Sequence, residues 1–148
     1  MNDYGIDEIS LEGFHLVRGQ LFANTPEPTM SIWYSSIAFN VACYSALNDC
    51  GAIQLRVHQT EKKIVIVPCP SKDRDAVNWQ KAPDKQKSKK IECSKFAHQL
   101  YDLWELNKDA RYRAPGKLVM GDKKIMIMFD FSDPEVWEGT KLANSLSK

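Results

Sequence analysis

Two stretches of this chain follow one template 54 residues apart, and that repetition limits the possible folds more than any other feature. The first reads Ile37-Ala38-Phe39-Asn40 and continues from Val41 to Cys50. The second reads Ile91-Glu92-Cys93-Ser94 and continues from Lys95 to Trp104. In both, a short extended run ends in a residue, Asn40 or Ser94, whose side chain can accept from the free amides of a helix's first turn. Behind the caps, apolar residues recur at i, i+3, i+4 and i+7: Cys43, Ala46, Leu47, Cys50, and then Ala97, Leu100, Tyr101, Trp104. That spacing lays one stripe along a helix, facing a core. Gly51 is the expected stop of the first helix.

A hairpin signal follows each helix. Ile53 to Val57 leads through a polar turn into Lys62-Lys63-Ile64-Val65-Ile66-Val67. Tyr112 to Met120 leads through Gly121-Asp122 into Lys123-Lys124-Ile125-Met126-Ile127-Met128, now at an offset of 61. Apolar runs entered from a polar turn fit central strands. The chain therefore reads as α+β, one domain over residues 1–148 with repeats at 37–68 and 91–131. Two tandem β-α-β-β units related by a pseudo-twofold would pack back to back, since neither buries both apolar faces alone. Gly13 to Phe22 and Thr29 to Tyr34 read as an added N-terminal hairpin. Ser71 is placed to cap a short helix reaching Trp79, and residues 81–90 form a basic connector. Ser132-Asp133-Pro134-Glu135 has the pattern of a helix start, predicting a helix that carries Val136 and Trp137. Thr140 to Lys148 is expected to fray.

Composition excludes several classes. With 43% hydrophobic and 26% charged residues in 148, the chain can bury a core and is not disordered throughout. Pro28 to Asn48 is uncharged, but its serines and asparagines make it too polar for hydrocarbon. The acidic N-terminus lacks a signal-peptide pattern, so a cytoplasmic protein without membrane contact is expected. Cys43, Cys50, Cys69 and Cys93 contain no C-x-x-C pair, and neither a metal site nor a cofactor is expected. His15, His58 and His98 have no nucleophile or acid at a characteristic spacing, and no P-loop, H-E-x-x-H or G-x-S-x-G occurs. Asp133 is better explained as a helix cap than as a partner of Asp130. No enzyme is indicated.

Local charge is more informative than the net +1. Residues 1–28 carry −4, residues 72–95 carry +4 and residues 105–128 carry +3. Arg111 and Arg113 alternate onto one strand face, where their planar forks could hold phosphates together. With Lys117, Lys85, Lys87, Lys89 and Lys90 they form the candidate nucleic-acid-binding set, DNA being the expected ligand. The competing structural role for the two arginines is pairing with Asp109 or Asp122. The alternative function is a protein-interaction module, or a homo-oligomer. It would use the acidic first 28 residues and Trp33, Tyr34 and Trp79, which lie off the helical stripes.

The extended entry, short helix and hairpin ending in Lys63-Ile64-Val65-Ile66-Val67-Pro68 resemble the swapped-hairpin pattern of the AbrB, SpoVT and MraZ transcription factors. That resemblance, over residues 37–68 and 91–131, implies DNA binding. The family's acidic-to-Arg helix motif is absent here: Val41 to Cys50 carries no basic residue. A second set of phrases is similar to uncharacterised small proteins of Firmicutes mobile elements and prophages. These are Ser31-Ile32-Trp33-Tyr34, Ile37-Ala38-Phe39-Asn40, Asp75-Ala76-Val77-Asn78-Trp79, Arg111-Tyr112-Arg113 with Gly116, and Met128-Phe129-Asp130. It implies a bacterial, mobile-element setting and supplies no activity; taken with the absence of catalytic motifs, the expected function is a non-enzymatic accessory or regulatory protein of such an element.

Overall fold

The computed structural model describes residues 7–16, 27–79, 89–139 and 141–142. Ten strands there join one antiparallel sheet: β1 Thr29–Ile32, β2 Ser36–Phe39, β3 Ala52–His58, β4 Lys63–Pro68, β5 Val77–Asn78, β6 Lys89–Glu92, β7 Ala110–Gly121, β8 Lys124–Asp130, β9 Glu135–Glu138 and β10 Lys141–Leu142. Two short helices, α1 Val41–Ala46 and α2 Ser94–Leu103, lie between strands. The strand order is β5-β3-β4-β8-β7-β1-β2-β6, with β9 on β7 and β10 on β9.

This overturns the α+β arrangement of two β-α-β-β units packed back to back. The fold is a mainly antiparallel sheet curled into a half-barrel. Helices of 6 and 10 residues are too short to form a layer of their own. The apolar faces are instead buried by the sheet curling over itself. Phe39 of β2 comes within 5.9 Å of Phe129 of β8 between ring centroids, although β1 and β7 separate their strands in the sheet. Trp79, fully buried, stacks on Tyr44 and meets Phe39 edge-on, closing the β5 end against α1 and β2. The registers do join positions equivalent under the two offsets, Ile37 with Ile91 and Ile66 with Ile127.

β7 connects the halves. Its residues 110–115 run between β9 and β1, whereas 116–121 pair with β8. The change of partners falls at Pro115-Gly116, where proline supplies no amide to a ladder. Gly116 faces the core so closely that an added Cβ would lie 2.6 Å from Ile127 Cγ2 and 2.6 Å from Phe129 Cε1. The Tyr101 hydroxyl of α2 sits 3.0 Å from the Ile32 carbonyl and 2.7 Å from the Ala110 carbonyl, sharing one proton between them. It pins the helix to β1 and to the start of β7.

Other local expectations are also corrected. Thr29–Ile32 pairs with β2 and β7, not with a preceding strand; Gly13 to Leu16 is not strand, and residues 17–22 lie outside the described residues. Ser71 begins turns leading to β5 instead of a helix, because Val77-Asn78 adds to the edge of β3. Glu135–Glu138 is a strand, drawn onto the free edge of β7. Asn40 stands at the N-cap of α1 without capping it: its Oδ1 accepts instead from the Thr29 amide. The second cap is Cys93, not Ser94. Gly51 is not the helix stop, since Asn48 and Asp49 take the left-handed conformation first. α2 ends similarly: Glu105 has φ 54°, and the Leu106 amide donates to the Tyr101 carbonyl. Residues 81–88 of the connector and 140 and 143–148 of the tail lie outside the described residues, while Lys89 and Lys90 open β6 and Lys141–Leu142, expected to fray, pairs with β9. No helix among the described residues is long and apolar enough to cross a membrane.

Gly116→Ala should therefore lower stability. Ile127 and Phe129 are fully buried and cannot retreat, so overpacking should cost about 1–3 kcal/mol. Thermal melting should fall by several degrees, and Phe129→Leu in the same chain should recover part of the loss. An unchanged melting temperature would show that the close approach at the bend does not constrain the fold.

Candidate nucleic-acid interface

In the first half of β7, alternation divides the side chains between two faces. Ala110, Tyr112 and Ala114 point into the core and are buried, leaving Arg111 and Arg113 on the outer face. Register then decides their neighbours. Arg113 lies opposite Ser31 on β1 and Glu135 on β9, while Ser31 lies opposite Ala38, and Ala38 opposite Lys90 of β6. Small residues in the middle of this row leave a floor bounded by cationic side chains. Arg111, Arg113 and Trp33 border a hollow of about 250 Å³ over Ser31 and Ala38. Trp33 and Arg111 also border a second hollow of about 200 Å³, together with Tyr34, Lys108 and Trp137.

Arg111 is held by two indoles: its guanidinium carbon is 4.6 Å from the Trp137 ring centroid and 5.7 Å from that of Trp33. Lys90 Nζ lies 4.3 Å from the Trp33 ring, and Lys108 Nζ lies 5.5 Å from the ring of Tyr34. Tyr34 in turn stacks on His98 at 3.9 Å. Rings attract these cations through their quadrupoles and orient them without neutralising them. Arg113 Nε is 3.9 Å from Oε2 of Glu135, a carboxylate only 4% exposed. Arg111 and Arg113 both bury an Nε that has no hydrogen-bond partner. Desolvation first, then repulsion from Arg113, lower the Arg111 pKa, and Glu135 opposes them. The guanidinium stays charged at physiological pH. The positive guanidinium groups bordering the hollow favour an anionic acceptor there.

The predicted set divides. Arg111 and Arg113 share the hollow, and Lys90 reaches its rim by way of Trp33. Lys89 stands in β6 opposite Phe39. Lys85 and Lys87 lie outside the described residues. Lys117 falls beyond the bend, opposite Met128 in the other half, and does not join this face. Arg113 takes Glu135 as its acid instead of Asp109 or Asp122. Sequence reasoning missed Lys108, Trp137 and Glu135. Alternation in Glu135-Val136-Trp137-Glu138 was the available signal, hidden by the helix-start pattern before it. Trp79 does not belong with the surface aromatics, being fully buried.

No group of three metal-ligating side chains occurs among the described residues. No family model, curated protein or solved structure matches this chain.

Burial near α1 generates a pH prediction. Desolvation pushes the Cys43 thiol up to about 12 from its usual 9, and the Tyr44 hydroxyl up to about 12 from 10. The native state keeps these protons while the unfolded chain loses them near pH 9–10. Their contribution to stability is thus complete below pH 9 and is lost as pH rises toward 12. Melting temperature should fall over that window, and Cys43→Ala with Tyr44→Phe should make the fall shallower. An equally steep fall in the double variant would remove these groups as the cause.

Proposed function

We propose that this chain is a non-enzymatic accessory or regulatory protein that binds nucleic acid through the outer face around Arg111 and Arg113. The observation that carries the reading is the pair of guanidinium groups bordering one hollow from alternate positions of β7. A planar fork suits a phosphate bidentately, and two forks on alternate positions of one strand can grip it from a fixed spacing. Lys90 and Lys108 extend the positive surface to either side. Cations already lie over Trp33, so phosphate contact carries the affinity and base stacking adds little. Weak sequence preference follows, because phosphates carry no base information. The resemblance of several phrases to small proteins of Firmicutes mobile elements supports a bacterial, mobile-element setting.

Fluorescence anisotropy with labelled single-stranded and duplex DNA tests the proposal. Binding should weaken steeply between roughly 50 and 200 mM salt, as counterion release requires. Arg111→Ala and Arg113→Ala, combined with Glu135→Gln so that no buried carboxylate is left without its cation, should weaken it about tenfold or more and flatten the salt dependence, with melting little changed. Absence of binding even at low salt would refute nucleic-acid recognition and favour a protein-interaction module.

A further inference from the structure

The hollow over Ser31 and Ala38 is set low in the sheet, whereas the lysines around it stand clear. Every residue that borders it, Arg111 and Arg113 included, is buried or half-buried. Lys90 and Lys108 are exposed. A phosphate inside a strand carries a sugar on each side, so it meets side chains that protrude and is kept from donors close to a sheet. The exposed lysines suit such phosphates. Two recessed arginines suit a phosphate that projects.

The walls of the hollow are fixed. Asn40 Oδ1 accepts from the Thr29 amide at 3.0 Å and its Nδ2 donates to the Glu27 carbonyl at 2.6 Å, so this side chain is committed to the backbone. Arg111 rests against Trp33 and Trp137. Thr29 and Ser31, both bearing hydroxyls, border the same space as the two guanidinium groups. Lys90 adds a third cation at the rim, and Glu135 offsets part of the Arg113 charge. A phosphomonoester matches this set better than a diester. It carries about −1.5 to −2 charges near neutral pH and three terminal oxygens, where a diester has a single charge and one oxygen fewer.

Resting on the nucleic-acid reading above, we infer that this hollow takes the terminal phosphate of a strand, so that the protein holds strand ends in preference to strand interiors. A terminal phosphate has one sugar instead of two and can enter between the arginines. The second hollow, of about 200 Å³, shares Trp33 and Arg111 with the first and gives the adjoining sugar a place to lie. Strand interiors remain bound by the exposed cations alone, more weakly.

Anisotropy at fixed salt, with three internally labelled single-stranded DNAs of one sequence, provides the test. One carries a 5′-phosphate, one a 3′-phosphate, and one a hydroxyl at both ends. At least one phosphorylated DNA should bind roughly tenfold or more tightly than the hydroxyl-ended DNA. Ser31 lies opposite Arg113 on the outer face, half-buried, so Ser31→Leu fills the floor and leaves both arginines in place. That variant should lose the difference between the DNAs while hydroxyl-ended DNA binds as before. Melting would verify that it folds, and Ser31→Val is the smaller filling if it does not. Equal binding of all three DNAs would overturn end recognition and leave nucleic-acid binding standing, whereas no binding of any at low salt would refute both. A difference that survives in the folded variant would remove the hollow as its source. A phosphoserine peptide that displaces the phosphorylated DNA as well as the same unlabelled DNA does would also overturn the inference, in favour of a phosphoprotein site.

Discussion

One strand cannot run straight between two sets of neighbours that bury opposite parts of a core. β7 meets β1 and β9 over its first half and β8 over its second, so it must change partners without leaving the sheet. Pro115 removes an amide from the ladder at that point, and Gly116 removes the side chain that would strike Ile127 and Phe129. The sheet then curls enough for Phe39 and Phe129 to approach from strands that are not neighbours. Everything else depends on this turn of direction. Trp79 closes the β5 end, and α1 and α2 cover the remaining faces through Tyr44 and Tyr101.

The outer face is a consequence of the same curl. A residue on β7 that does not face the core must face outward, and the register places Trp33 and Trp137 beside Arg111. The indoles limit where the guanidinium can go while leaving its charge intact. Glu135 acts differently, offsetting part of the Arg113 charge from a buried position. Two arginines of the same strand are thus held by different physics, one by ring faces and one by an acid.

Much of the secondary structure could be read in advance because it rests on local periodicity. Ala97, Leu100, Tyr101 and Trp104 all turn inward as one helical stripe. The strand pairs at 52–68 and 110–130 follow from apolar runs around polar turns. Reading failed where two partners competed for one segment. Pro134 and Asp133 suit a helix start, but the free edge of β7 offered Glu135–Glu138 a ladder of hydrogen bonds and a place for Trp137. Asn40 has the chemistry of a cap, yet the Thr29 amide from the neighbouring strand takes its oxygen. Of the candidate site, the shared face of Arg111 and Arg113 was legible because alternation along a strand needs no partner, and Lys90, Trp33 and Tyr34 were named there without the register that brings them to it.

What the sequence by itself determined is therefore what neighbouring residues decide among themselves: the helical stripes, the hairpins and the outward pairing of two arginines. Such features depend on separations of a few residues, over which backbone geometry is regular. Tertiary structure decided which strands became neighbours, and with that the fold class, the acid facing Arg113 and the rings around Arg111. Those choices join residues such as Trp33 and Arg111, or Phe39 and Phe129, that lie far apart along the chain. Their meeting depends on how the whole sheet bends to bury its apolar face. No local pattern carries that bend.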